Sequence, residues 1–87
     1  MRTINGVECW TEYATPGRRK RNVYVADYSS GKRKHIGTLT LCNVGFNFEV
    51  SWWLFESQQP MFGRRSTMKE CLETIIEHWK AYQEREC

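Results

Sequence analysis

Aspartate occurs once in the 87-residue chain, at Asp27, and histidine twice, at His35 and His78. Acid–base and nucleophilic catalysis need titratable groups within hydrogen-bond reach of one another. One Asp and two His on separate elements form no such constellation, and the chain reads as non-enzymatic. His35 reads as part of a basic strand end, and His78 as a residue on a helix surface. There is no Gly-rich phosphate loop of the nucleotide-binding kind. Cys9, Cys42, Cys71 and Cys87 stand far apart, with no CxxC or CxxH pair. Structural zinc sites use ligands close in sequence, so neither a metal nor another cofactor is expected.

Long apolar runs are also missing. The longest bulky one is Trp52-Trp53-Leu54-Phe55, far short of a bilayer span, and no membrane partner is expected. The first residues, Met1 to Gly6, hold no apolar stretch and no cleavage site. The expected location is therefore the cytoplasm, with reduced thiols acting as small hydrophobes. Repeats, linkers and low-complexity tracts are lacking, and the expectation is one domain over residues 1–87.

What the chain does have is aromatic residues and segregated charge. Trp, Tyr and Phe occur four times each, and the net charge is +3. Arg18, Arg19, Lys20, Arg21, Lys32, Arg33 and Lys34 face Asp27 alone between residues 18 and 35. The C-terminal part is acidic, with Glu70, Glu73, Glu77, Glu84 and Glu86 against Lys69, Lys80 and Arg85. Such segregation suggests a surface for an anionic partner.

Alternation and turn signals predict four strands: Val7–Tyr13, Asn22–Tyr28, His35–Cys42 and Phe46–Phe55. The Arg18–Arg21 cluster follows the Thr15-Pro-Gly17 turn. Ser29-Ser-Gly-Lys32 reads as a hairpin turn, and Ser57-Gln-Gln-Pro60 as a break. Thr67 and Glu70 fit a capping box. Met68, Cys71, Leu72, Ile75, Trp79 and Tyr82 then form one apolar stripe at helical spacing. The fold class is α+β, a four-stranded antiparallel meander packed on one C-terminal helix (β-β-β-β-α).

Even hairpin loops pair residues whose numbers sum to an odd value. This puts Tyr24 opposite Gly37, Asp27 opposite Lys34, Leu39 opposite Val50, Leu41 opposite Phe48, and Gly37 opposite Trp52. Tyr24, Tyr28, Leu39, Leu41, Phe48, Val50 and Trp52 would then face the helix. Trp10, Val25, Ile36, Thr38, Glu49, Trp53 and Phe55 would face out. Trp10, Trp53 and Phe55 thus become candidate contact residues. A meander would also gather Lys32, Arg33, Lys34, Arg64 and Arg65 at one end, beside the helix start, with Arg18–Arg21 at the other. A helix start favours anions, which makes Ser66–Thr67 a candidate contact.

The stretch Val23–Leu39, above all Gly31-Lys-Arg-Lys-His-Ile-Gly37, resembles the central hairpin of Apetala-type and integrase N-terminal DNA-binding domains. In those families three strands pack on one helix, and the open sheet face enters the major groove. Here a fourth strand and a Pro-containing loop precede the helix. The small, simple layout also resembles phage and prophage accessory proteins, which would act in a host-cell cytoplasm. The leading expectation is a module that binds DNA or RNA. Its phosphate contacts would come from Arg18, Arg19, Lys20, Arg21, Lys32, Arg33, Lys34, Arg64 and Arg65. The alternative is a protein-binding accessory or inhibitor acting on a host enzyme or nucleoprotein complex, and a homodimer is a third option.

Overall fold

The computed structural model describes residues 2–15, 17–27, 31–54 and 61–86, the side chains of 15, 17, 18 and 86 excepted. Among these residues six strands form one antiparallel sheet in the order β1 to β6. They are β1 (Arg2–Ile4), β2 (Val7–Thr15), β3 (Gly17–Asp27), β4 (Lys32–Leu41), β5 (Phe46–Val50) and β6 (Phe62–Arg65). A 3-10 turn, Trp52–Leu54, follows β5, and the helix α1 (Met68–Glu86) closes the chain. The sheet is a half-barrel packed against α1. The expected four-stranded meander is thus a six-stranded one, with β1 and β6 as additional edge strands. The chain folds back from β1 into β2 at Asn5-Gly6, with φ of 52° and 82°. Two positive φ values in a two-residue hairpin suit Asn-Gly.

The helix begins as expected. The Thr67 hydroxyl accepts from the Glu70 N–H at 3.2 Å and donates to the Glu70 carboxylate at 3.3 Å. Cys71, Leu72, Ile75, Ile76 and Trp79 are buried against the sheet, where they join Cys9, Val23, Val25, Leu39, Phe48 and Val50. His78 is buried too, which corrects its reading as a surface residue. It sits one position from Trp79 on the stripe side of a helix whose core face is wider than the six predicted residues. The Lys80 ammonium donates to the Asn5 carbonyl at 3.2 Å and ties the first hairpin to the helix.

The pairing register differs from the expected one because of one residue. Val23 pairs with Gly37, but Tyr24 pairs with His35, so Ile36 is an extra residue in β4. A bulge of this kind resets which residues share a face. Val25 and Ile36 are fully buried rather than facing out, and Tyr24 moves to the outer face. Between β4 and β5 the register is shifted by two, so faces are kept: Gly37 pairs with Val50 and Leu39 with Phe48. Leu41 is left 43% exposed at the sheet end.

Three other boundaries differ. The Arg18–Arg21 segment lies within β3 and not in a loop, since Arg21 pairs with Tyr13 on one side and Leu39 on the other. Strand β5 stops at Val50, where the Ser51 N–H and hydroxyl bond the carbonyls of Ile36 and His35. The 3-10 turn that follows buries Leu54 and leaves Trp52 81% exposed, not in the core. Expectations for Tyr28, Phe55 and the 57–60 break fall outside the described residues.

Candidate nucleic-acid interface

Strand alternation divides the basic residues between the two sheet faces. Three cations of the inner face have partners within the chain. Arg21 donates to the Thr11 hydroxyl (3.2 Å) and the Tyr13 hydroxyl (2.8 Å), with its guanidinium 4.5 Å from the Tyr13 ring centre. The Lys34 ammonium lies 3.2 Å from the Asp27 carboxylate and near the rings of Trp53 and Trp79. Arg65 lies over the Phe48 ring at 5.0 Å. These three cations cap the ends of the core.

Trp53, expected on the outer face, packs edge-on against Trp79 and Tyr82 and donates its indole N–H to the His35 carbonyl. The turn after Val50 rotates it away from the outer face. Trp10 does lie on that face, stacked on Tyr24 at 6.0 Å, with Tyr24 against His35. Arg33 reaches over the Tyr24 ring to the Glu12 carboxylate at 2.5 Å, and that carboxylate also accepts from the Trp10 indole at 3.0 Å. The Trp10 bond first, and then Arg33, hold the Glu12 carboxyl below its usual range. This corner is an internally satisfied knot.

The rest of the outer face is built differently. Lys20 pairs with Thr40, Thr40 with Asn47, and Asn47 with Arg64, so four strands contribute one cross-strand row. At a strand spacing of about 4.8 Å the row is roughly 14 Å long. The Arg64 Nε donates to the Asn47 amide oxygen at 3.4 Å. Thr38 pairs with Glu49, and Glu49 with Phe62, which forms the neighbouring row. Phe62 is 74% exposed.

This arrangement corrects the expected clustering. Because β6 runs antiparallel to β5, Arg64 and Arg65 return to the Lys20 end of the sheet, away from Lys32, Arg33 and Lys34. Lys32 and Arg33 are exposed at the far end. Arg19 lines a groove with Thr40 and Arg64. Arg18 lies in β3, its side chain outside the described ones. The helix start also falls at the Lys20 end, where the Thr67 hydroxyl already takes the Glu70 N–H.

The residues not anticipated are Thr40, Asn47, Phe62 and Trp52. The first three align with the cations only through the pairing of β5 with β6, which no local pattern marks. Among the described residues, no group of three metal-ligating side chains gathers, and no helix is long and apolar enough to cross a membrane. The thiols of Cys9, Cys42 and Cys71 are free, and burial pushes those of Cys9 and Cys71 up. No family model, curated protein or solved structure matches the chain.

Proposed function

We propose that this chain is a non-enzymatic nucleic-acid-binding module that uses the outer face of its sheet. The observation that carries the reading is the Lys20–Thr40–Asn47–Arg64 row. It places one cation at each end of two neutral hydrogen-bonding side chains, with exposed Phe62 one row away. Cations take phosphates and fix register, whereas amide, hydroxyl and aromatic groups meet bases. Arg19, exposed at the Lys20 end, adds a further cation beside the row. Arg21, Arg33, Lys34 and Arg65 serve chiefly to hold the fold.

The test is binding of labelled DNA and RNA oligonucleotides, followed by fluorescence anisotropy across a salt series. Affinity should fall as salt rises, and Lys20→Ala and Arg64→Ala should each reduce the salt slope by about 1. Absence of binding at low salt would end the proposal.

A second reading draws on Val44, 77% exposed at the β4–β5 turn beside half-exposed Leu41. Apolar side chains at a hairpin tip suit a protein partner. The complex would then survive nuclease treatment and be lost on Val44→Asp.

A further inference from the structure

Three kinds of side chain share the outer face, and their order across it is informative. Lys20 on β3 and Arg64 on β6 stand at the two ends of the cross-strand row. Thr38, Thr40, Asn47 and Glu49 lie between them and offer donors and acceptors without positive charge. Phe62 on β6 and Trp52 in the 3-10 turn beyond β5 add two rings, 74% and 81% exposed. Two adjoining grooves of about 720 and about 600 Å3 have Lys20, Thr38 and Glu49 in common. The first reaches Trp52, and the second passes Phe62 to Arg64. The two grooves thus meet along Lys20, Thr38 and Glu49 as one trough, with Trp52 on one side and Phe62 and Arg64 on the other.

A ring left open beside hydrogen-bonding groups matches an unpaired base, which offers a π face for stacking and a free edge for donors and acceptors. A base inside a duplex offers neither, since its faces are stacked and its pairing edge is used. The width of the sheet points the same way. The major groove is about 12 Å wide and admits a helix or a two-stranded ribbon. Six strands at about 4.8 Å spacing span roughly 24 Å, too broad to enter it. Glu49 orients the ligand further. A phosphate against its carboxylate would be repelled, so the phosphates belong on Lys20 and Arg64. The bases then face Glu49, which can accept from their exocyclic amines.

Resting on the nucleic-acid reading above, we propose that the occupant of this trough is a single strand, with its phosphates on Lys20 and Arg64 and two unpaired bases stacked on Phe62 and Trp52.

The experiment compares a mixed-sequence oligonucleotide of about twelve nucleotides with its own duplex, for the wild-type chain, Phe62→Ala, Phe62→Leu and Trp52→Ala. Circular dichroism of each variant checks that the fold is kept, as expected for rings this exposed. The single strand should bind at least about tenfold more tightly than the duplex. Loss of either ring should weaken single-strand binding by roughly five- to a hundredfold, the effect of one base–aromatic stack, and leave duplex binding unchanged. Phe62→Leu should behave like Phe62→Ala, because leucine keeps the apolar bulk and lacks the π face. Equal affinity for the two forms overturns the inference, as do rings that can be removed without effect, and either result leaves the broader nucleic-acid reading standing. If neither form binds at low salt, both readings fall together.

Discussion

The Lys34 ammonium sits 3.2 Å from the Asp27 carboxylate, which is itself buried at the edge of the core. A lysine from the most basic stretch of the chain is thereby committed to the fold. Its neighbours Trp53 and Trp79 take up the remaining face of the charge. Lys34→Ala should lower stability by about 1–2 kcal/mol, since it strips a buried carboxylate of a cation that is itself partly solvated. The same substitution should leave the salt slope of oligonucleotide binding unchanged, in contrast to Lys20→Ala. Urea unfolding beside a salt titration separates the two roles.

Gly37 is wedged between the backbone of β5 and Ile75 of α1. A Cβ there would meet the Glu49 carbonyl oxygen at 2.8 Å and two Ile75 carbons at 3.0 Å. The obstacle includes backbone, which cannot swing aside. Gly37→Ala should cost about 1–3 kcal/mol in urea unfolding, the usual range for overpacking. A neutral result would mean that α1 does not press on β4 at this point.

Acid should open the knot on the outer face. The Glu12 carboxyl is held below its usual value, first by the Trp10 indole and then by Arg33. The folded state therefore favours the carboxylate. The stabilisation is present above the unfolded pKa and is lost as pH falls through the folded one. The Trp10 indole N–H resonance should accordingly shift below the ordinary carboxylate range, and Glu12→Gln should flatten that titration. A resonance that is pH-independent in the wild type would contradict the Glu12 contact.

Cys9 and Cys71 are buried, and burial raises both thiols, which disfavours the reactive thiolate at neutral pH. Cys42 is half-buried. Native-state alkylation mapped by mass spectrometry should label Cys42 well before Cys9 or Cys71. Comparable rates for all three would mean that the core opens freely.

Much of the central architecture could be read from the residues alone. The Thr67–Glu70 cap and the Met68–Tyr82 stripe locate the helix, and Phe46, Phe48 and Val50 alternate clearly. The rest was hidden for separate physical reasons. The extra residue at Ile36 inverts the faces around it, sending Val25 inward and Tyr24 outward, and its one cue is the isolated Gly37 beside it. Strand β1 had a signal in Asn5-Gly6, the sequence most suited to a two-residue hairpin. Strand β6 had none, because Phe62-Gly-Arg-Arg65 is short and lacks apolar alternation. A meander without β6 puts Arg64 at the opposite end of the sheet from Lys20. Lys20 and Arg64 were recognisable as cations. Their alignment through Thr40 and Asn47 depends on pairings among four strands, which no local pattern encodes.

Amide chemical-shift mapping on addition of an unlabelled single-stranded oligonucleotide asks most directly which face is used. Shifts should gather at Lys20, Thr38, Thr40, Asn47, Glu49, Phe62 and Arg64, with the outward side of α1 (Lys69, Glu73, Glu77, Glu84) unmoved. Shifts confined to α1 or to the Lys32–Lys34 end of the sheet, with the Lys20–Arg64 row silent, would contradict the account.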